Sequence, residues 1–134
     1  MGLFDRPAST PAFTVPQDPQ WARSPKGGSF NFMRLDPEEY DLAKASGVFV
    51  IWHGGVKPEW LYVGRSDDLA SALHALGDNE DILSYENRGG VFVTWAFVKN
   101  DFQDGVVFYL TDLLKPLVEN PGVKKATPIP VTTP

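Results

Sequence analysis

Few side chains of this sequence could do chemistry, and the most suggestive ones stand where a predicted strand meets a predicted helix. Tyr62 and Arg65 end the strand, and Ser66 and Asp67 begin the next segment. A guanidinium beside the first amides of a helix forms a physically sound anion site. The same guanidinium can instead pair with the carboxylate of Asp67 or Asp68, and we favour that ion pair. For Tyr62 we favour a half-buried structural role over a nucleophilic one.

The remaining polar candidates lack the spacing that catalysis or metal binding requires. His53 and His74 have no serine, cysteine or metal-ligand partner in motif spacing, so neither predicts a triad or a zinc site. The chain has no cysteine, which excludes a disulfide framework and a thiolate zinc site. The acidic run at 78–81 lacks the spacing of an EF-hand, and we interpret it as a solvated loop.

Charge is unevenly distributed along the 134 residues of the chain. Residues 36–120 carry six Lys and Arg against fifteen Asp and Glu, whereas the remaining residues carry six against two. A segment as acidic as residues 36–120 repels phosphate groups over a Debye length of about 8 Å. The composition therefore argues against general nucleic-acid binding by this segment. It is compatible with binding of an acidic partner by the weakly basic ends.

Hydrophobic periodicity predicts a single α+β domain. Apolar runs predict strands at 47–52, 60–63 and 91–98, and helical spacing predicts helices at 36–45, 66–76 and 104–117. Asp36, Ser66 and Asp104 are the predicted helix caps, and Pro116 should kink or end the last helix. The first and last strands are apolar on both faces, so both faces must be covered. These elements predict a small three-stranded, mostly antiparallel sheet flanked by helices on both faces.

Proline-rich segments flank this domain. We divide the chain into an N-terminal arm of residues 1–35, a domain of residues 36–120 and a Pro/Thr-rich tail of residues 121–134. The arm has too many aromatic residues for an ordinary linker: Phe4, Phe13, Trp21, Phe30 and Phe32. We favour an arm packed on its own domain, with docking on a partner as the alternative. Trp52, Trp60 and Trp95 are interpreted as core, or as cover for the docked arm, rather than as a base-stacking platform.

Two short motifs carry a resemblance to a known family. The first predicted strand begins Gly47-Val48-Phe49, and the second ends Tyr62-Val63-Gly64 before a helix follows directly. This order, with a third strand and a closing helix, resembles the GIY-YIG nuclease family over about residues 47–120. The resemblance implies a small antiparallel sheet with helices on both sides. In active members it implies a metal-dependent cut of a phosphodiester bond.

Carried over residue by residue, the resemblance implies a site that has lost its catalytic groups. The tyrosine of the first motif falls on Phe49, which lacks the hydroxyl, while that of the second is retained as Tyr62. The family's helix arginine falls on Ala72 and its metal-binding glutamate on Leu110. Charge developing on a phosphate would then be offset by neither a guanidinium nor a cation. We therefore predict a non-catalytic member without a cofactor, acting as a protein-interaction or structural module.

Two other functions remain open at this point. One is a nuclease with relocated catalytic residues, Tyr62, Arg65 and Glu119, around a magnesium ion. The other is an anion- or nucleotide-binding domain that uses Arg65, Ser66 and Asp67 at the start of the second helix. The partner expected for the main hypothesis is an unidentified protein or a second copy, reached through the N-terminal arm. No stretch has the length of a signal peptide or a membrane span, so we expect a cytoplasmic location without membrane contact.

Overall fold

The computed structural model describes residues 15–134 and shows one antiparallel sheet surrounded by helices. The strands are β1 (Phe30–Asn31), β2 (Gly47–His53), β3 (Glu59–Ser66) and β4 (Val91–Ala96), in the spatial order β1-β4-β2-β3. The helices are α1 (Leu69–Leu76), α2 (Glu80–Leu83) and α3 (Asn100–Leu114), with 3-10 turns at Pro37–Tyr40 and Glu86–Arg88. The α+β class predicted from the sequence is confirmed.

Strand β2 is the centre of the fold because it pairs with both β3 and β4. Phe49 and Ile51 enter one apolar cluster together with residues of α1, whereas Val48 and Val50 enter a second cluster with residues of α3. We call these the α1 side and the α3 side of the sheet. Because strand side chains alternate with a period of two, a strand that is apolar at every position needs cover on both sides.

The sheet has four strands where the sequence predicts three. The additional strand, β1, lies in the N-terminal arm and pairs with β4, with Phe30 opposite Val93. The amide of Phe32 extends this pairing by donating to the carbonyl of Val91 at 2.8 Å. Two residues are too few to show an alternating pattern, so tertiary pairing rather than local propensity creates this strand. The three-stranded prediction is therefore wrong in its count.

Two predicted helix starts also differ from the structure. Strand β3 continues through Ser66, and α1 begins at Leu69 with Asp68 as its cap, since the Asp68 carboxylate accepts from the Ser71 amide at 3.1 Å. Helix α3 begins at Asn100, so Asp104 lies inside the helix instead of capping it. Several polar residues follow one another at both places, and the apolar pattern alone does not select which of them ends the extended segment.

The helix predicted at 36–45 is only a single 3-10 turn. Asp36 caps this turn as predicted, with its carboxylate accepting from the Glu38 amide at 3.2 Å. Asp41 then adopts a left-handed backbone with φ of 60°, and a right-handed helix cannot continue through it. At the other end of the domain, α3 ends at Leu114 shortly before Pro116, as the sequence predicts.

Both ends of the described chain pack on the domain. Five of their apolar side chains are buried: Pro19, Trp21, Phe30, Phe32 and Val131. Gln17 pairs with Val131 in an isolated parallel bridge, so the arm and the tail meet. Phe4 and Phe13 lie outside the described residues. None of the helices within residues 15–134 is long and apolar enough to cross a membrane.

Candidate functional site

Three aromatic rings form a row across the sheet. Trp52 of β2 lies between Trp60 of β3 and Phe92 of β4, because the strand register makes both of them its partners. The ring centroids of Trp52 and Trp60 are 5.9 Å apart, and those of Trp52 and Phe92 are 6.1 Å apart. Cross-strand aromatic pairs stabilise a sheet and limit the orientations of each ring. All three residues are only partly buried, so the row is accessible from solvent.

Trp21 closes one side of this row. The arm is held beside β4 by two hydrogen bonds: the Ala22 amide donates to a β4 carbonyl at 2.8 Å, and the Thr94 hydroxyl donates to the Ala22 carbonyl at 2.7 Å. Trp21, Trp52 and Trp60 together line a cavity of about 290 Å³. A second cavity, of about 240 Å³, shares Trp52 and Trp60. We call the surface formed by these three tryptophans the tryptophan groove.

The C-terminal tail forms part of the wall of the tryptophan groove. The indole N–H of Trp21 donates to the carbonyl of Thr132 at 2.7 Å. The amide of Thr132 in turn donates to the carbonyl of Gln17 at 2.9 Å. Pro134 lines the larger cavity. The groove is therefore assembled from two strands and from both ends of the described chain.

Charged groups of opposite sign border the groove. Arg23 lines the larger cavity, and Glu59 lines the smaller one. The carboxylate of Glu59 is held by His53, whose Nε2 lies 3.2 Å from Glu59 Oε1. His53 is buried, and its ring stacks on Tyr85 with centroids 5.0 Å apart. Because a guanidinium and a carboxylate act oppositely on an anion, the groove has no uniform positive field that would attract a polyanion.

The positions that the GIY-YIG resemblance assigns to catalysis are divided between the two sides of the sheet. On the α1 side the rings of Phe49 and Tyr62 stack with centroids 5.9 Å apart, and Ala72 packs against the same cluster. Leu110 is fully buried on the α3 side. Burial raises the pKa of the Tyr62 phenol above its ordinary value of 10.0, which disfavours a phenolate. These four residues belong to two parts of the core rather than to one site.

Arg65 is the centre of a polar network between β3 and α3. Its Nε donates to Gln103 Oε1 at 2.6 Å, and its Nη2 donates to Asp67 Oδ1 at 2.9 Å. Its Nη1 lies 3.8 Å from the carboxylate of Asp104. Gln103 is fully buried, and its amide nitrogen donates to the Val98 carbonyl at 2.6 Å. The ion pair with Asp67 expected from the sequence is present, and an anion approaching Arg65 would meet two carboxylates.

The first amides of α1 are used within the chain. Four consecutive amides, at residues 69–72, donate to acceptors at distances of 2.9 to 3.1 Å. Two of these acceptors belong to Asp68, and the other two are the backbone carbonyls of Leu42 and Ala45, in the segment before β2. The hydroxyl of Ser66 also accepts a hydrogen bond, from the Asp68 amide at 2.9 Å. A helix start binds an anion through free amides, and these four amides at the start of α1 already have acceptors within the chain.

The residues proposed for a relocated nuclease site do not come together. Tyr62 packs on the α1 side, whereas Arg65 faces α3 through its bond to Gln103. Glu119 is exposed in the segment after α3, beside a cavity that Phe108 also lines. The sheet thus lies between the phenol and the guanidinium, which would have to approach the same phosphate.

Comparisons of the chain with protein-family models, with curated proteins and with solved structures found no match. The GIY-YIG resemblance therefore rests on the motifs at residues 47–49 and 62–64. The tryptophan groove offers partly exposed aromatic surface with indole hydrogen-bond donors. Within residues 15–134, by contrast, no three His, Cys, Asp or Glu side chains are grouped so that they could hold a metal ion.

Sequence reasoning missed the tryptophan groove, although part of its signal was present. Strand alternation and a hairpin predict that Trp52 and Trp60 face each other. The aromatic content of the arm favours its packing on the domain, but no local pattern places Trp21 and Pro134 beside Trp52 and Trp60. Trp52 and Trp60 pack against the cluster that contains Trp21 of the arm, as expected for cover of a docked arm, and Trp95 is buried core.

Proposed function

We propose that this chain is a non-catalytic domain of the GIY-YIG type that binds another protein through the tryptophan groove. The observation that carries this proposal is the partly exposed pair Trp52 and Trp60 beside a cavity of about 290 Å³. Tryptophan is enriched among the few residues that supply most of the binding energy of protein interfaces. Pairing within the sheet fixes both rings before binding, which lowers the entropy lost on association.

Two further features favour binding of a protein over catalysis on a nucleic acid. At the positions of the family's catalytic groups stand Phe49, Ala72 and Leu110, which can neither transfer a proton nor bind a cation. The fifteen carboxylates of residues 36–120 also oppose a phosphate backbone. The groove cavities lie at or below the usual lower limit of small-molecule sites, which is about 300 Å³. They suit the anchoring side chains of a partner protein.

Selection of random peptides displayed on phage tests protein binding without assuming a sequence. We expect the full-length protein to enrich peptides whose affinity falls at least about tenfold when Trp60→Ala removes one wall of the groove. The matched control is Phe97→Ala, because this ring is 61% exposed beyond the opposite end of β4. Thermal unfolding of each variant verifies that it is folded. A selection without enriched peptides, or equal binding to Trp60→Ala, would contradict the proposed function.

The non-catalytic part of the proposal has a separate test. The protein and its Tyr62→Phe variant are incubated with plasmid and short duplex DNA in the presence of magnesium or manganese. We expect intact DNA in every sample, because the charge that develops on the phosphate would not be offset by a bound cation and a free guanidinium at the same place. Cutting by the wild-type protein that disappears in Tyr62→Phe would instead indicate an enzyme built on Tyr62, Arg65 and Glu119.

A further inference from the structure

We infer that the tryptophan groove binds an extended, proline-rich segment of a partner protein in the polyproline II conformation. This inference rests on the proposed function and deepens it by naming the chemical class of the partner. It combines three observations: indole donors with no acceptor in the described chain, a proline-containing segment already seated at the groove, and the spacing of the aromatic rings.

Indole rings match the chemistry of a proline-rich segment. A polyproline II helix has no internal hydrogen bonds, so its carbonyls need donors, and its pyrrolidine rings pack on flat aromatic faces. Trp52 and Trp60 supply both the apolar faces and the N–H donors. Within residues 15–134 these two indole N–H groups donate to no acceptor, whereas that of Trp21 donates to the Thr132 carbonyl. The two groups are therefore available to the carbonyls of an incoming segment.

The tail of this chain already makes a contact of this kind with the groove. Residues 127–134 contain three prolines, and no helix or regular strand includes them. The Thr132 carbonyl accepts the Trp21 indole N–H at 2.7 Å, and Pro134 lines the same cavity as Trp52 and Trp60. One wall of the groove thus already holds a proline-containing segment through an indole N–H, with Pro134 beside the same cavity. A second segment would repeat this chemistry on Trp52 and Trp60.

The length of the aromatic row also matches the repeat of a polyproline II helix. A polyproline II helix rises about 3.1 Å per residue with three residues per turn, so its like-facing residues repeat about every 9 Å. Successive rings from Trp60 through Trp52 to Phe92 are separated by 5.9 and 6.1 Å. The row is therefore long enough to contact one full turn of such a helix. The two cavities that share Trp52 and Trp60 provide neighbouring places for prolines.

A nucleic acid is the other ligand that stacks on exposed indoles. It is disfavoured here because Glu59 lines the smaller cavity and because the domain carries an excess of carboxylates. A proline-rich segment has an uncharged backbone and avoids this repulsion. Oligonucleotide binding at the groove is consequently an outcome that would overturn the inference.

The test titrates the full-length, ¹⁵N-labelled protein with a decaproline peptide, and with a Gly-Ser decapeptide as control. We expect saturable shifts of the Trp52 and Trp60 indole N–H signals with decaproline and none with the control peptide. The signal of Trp95, which is buried on the α1 side, should stay unchanged. Decaproline affinity should fall at least about tenfold in Trp60→Ala and remain constant in Phe97→Ala. Because the indole signals are measured on the wild-type protein, the test does not depend on the stability of a variant.

Three results would overturn the inference. They are the absence of saturable shifts at millimolar decaproline, saturable shifts confined to signals outside the groove, and tighter binding of oligo-dT than of decaproline at the same indoles. The peptide selection distinguishes failure of the proline-rich inference from failure of the proposed protein-binding function. Enriched peptides that need Trp60 but lack proline would leave protein binding intact while rejecting the proline-rich partner.

Discussion

Gly64 of the second motif lies beneath the ring of Phe49. This close packing explains why the position holds a residue without a side chain. A β-carbon at Gly64 would come within 2.7 Å of Phe49 Cζ and 3.0 Å of Tyr62 Cε1. Phe49 is only 2% exposed, so its ring has little room to move away. The same two rings stack on each other with centroids 5.9 Å apart. In this chain the motif residues Phe49, Tyr62 and Gly64 therefore form one packing unit.

We expect Gly64→Ala to destabilise the protein by about 1–3 kcal/mol, because the added methyl group overpacks the contact with Phe49. Urea unfolding followed by tryptophan fluorescence measures the change. Gly28→Ala is the matched control, since its nearest neighbour would be 3.7 Å from the new β-carbon. In the Phe49→Leu background the penalty of Gly64→Ala should shrink, because the obstructing ring atoms are gone. Equal penalties in both backgrounds would disprove the packing explanation.

Elements with strong local signals were predictable, and elements that depend on distant partners were not. Strands β2 to β4 follow from continuous apolar runs, and α1 and α3 follow from leucine and valine residues at helical spacing. The pairing of β1 with β4 had no such signal, because its two residues are ordered by hydrogen bonds to a strand about 60 residues away. The start of α1 was misplaced because Ser66, Asp67 and Asp68 are all acceptable caps by residue type.

Asp68 caps the start of α1, and we expect its contribution to the stability of the fold to depend on pH. Hydrogen bonds from the Ser71 amide, and then from the Lys44 amide, lower the pKa of Asp68 below its ordinary value of 3.8. The charged carboxylate is thus favoured in the folded state, so its stabilisation is fully present above the unfolded pKa. It is lost as the pH falls through the lower folded pKa. Stability gained from this cap should therefore disappear only in acid.

We expect Asp68→Ala to lower the melting temperature at neutral pH, because two amides lose their acceptor. Asp68→Asn should retain part of the cap, since an amide oxygen still accepts hydrogen bonds. The advantage of the wild-type protein over Asp68→Asn should shrink as the pH drops below 3.8. Asp78→Asn, an exposed position after α1, is the control. A melting temperature for Asp68→Ala equal to that of the wild-type protein would contradict this role.

The two ends of the described chain complete the α3 side of the molecule. Trp21 and Val131 belong to the α3-side cluster, and Gln17 joins the arm to the tail. Removal of residues 1–34 would therefore take buried side chains out of the core, and it cannot serve as a clean test of partner binding. The groove escaped sequence analysis for the same reason, since it exists only where both chain ends meet the strands. Single substitutions in the groove test its function more directly.

Because the tail packs on α3, we predict that one substitution destabilises the full chain but stabilises a chain that lacks the tail. Gly105 lies inside α3, where glycine costs about 0.5–1 kcal/mol relative to alanine. A β-carbon there would come within 2.6 Å of the Thr127 carbonyl oxygen and 2.8 Å of Ile129 Cδ1. The amide of Ile129 also donates to the Gly105 carbonyl at 3.1 Å. The glycine thus admits the tail at a cost to the helix.

In the full chain we expect Gly105→Ala to lower the free energy of unfolding by about 1–3 kcal/mol, because it displaces the tail backbone. In a chain that ends at Ala126 the same substitution should raise it by about 0.5–1 kcal/mol, since only the helix preference remains. Urea unfolding of the four proteins measures both differences. In the full chain, Gly105→Ala should also free the Trp21 indole N–H from the Thr132 carbonyl, which shifts its ¹⁵N signal. Stabilisation of both chains would show that the tail does not depend on Gly105, and the tail wall of the groove would then need another support.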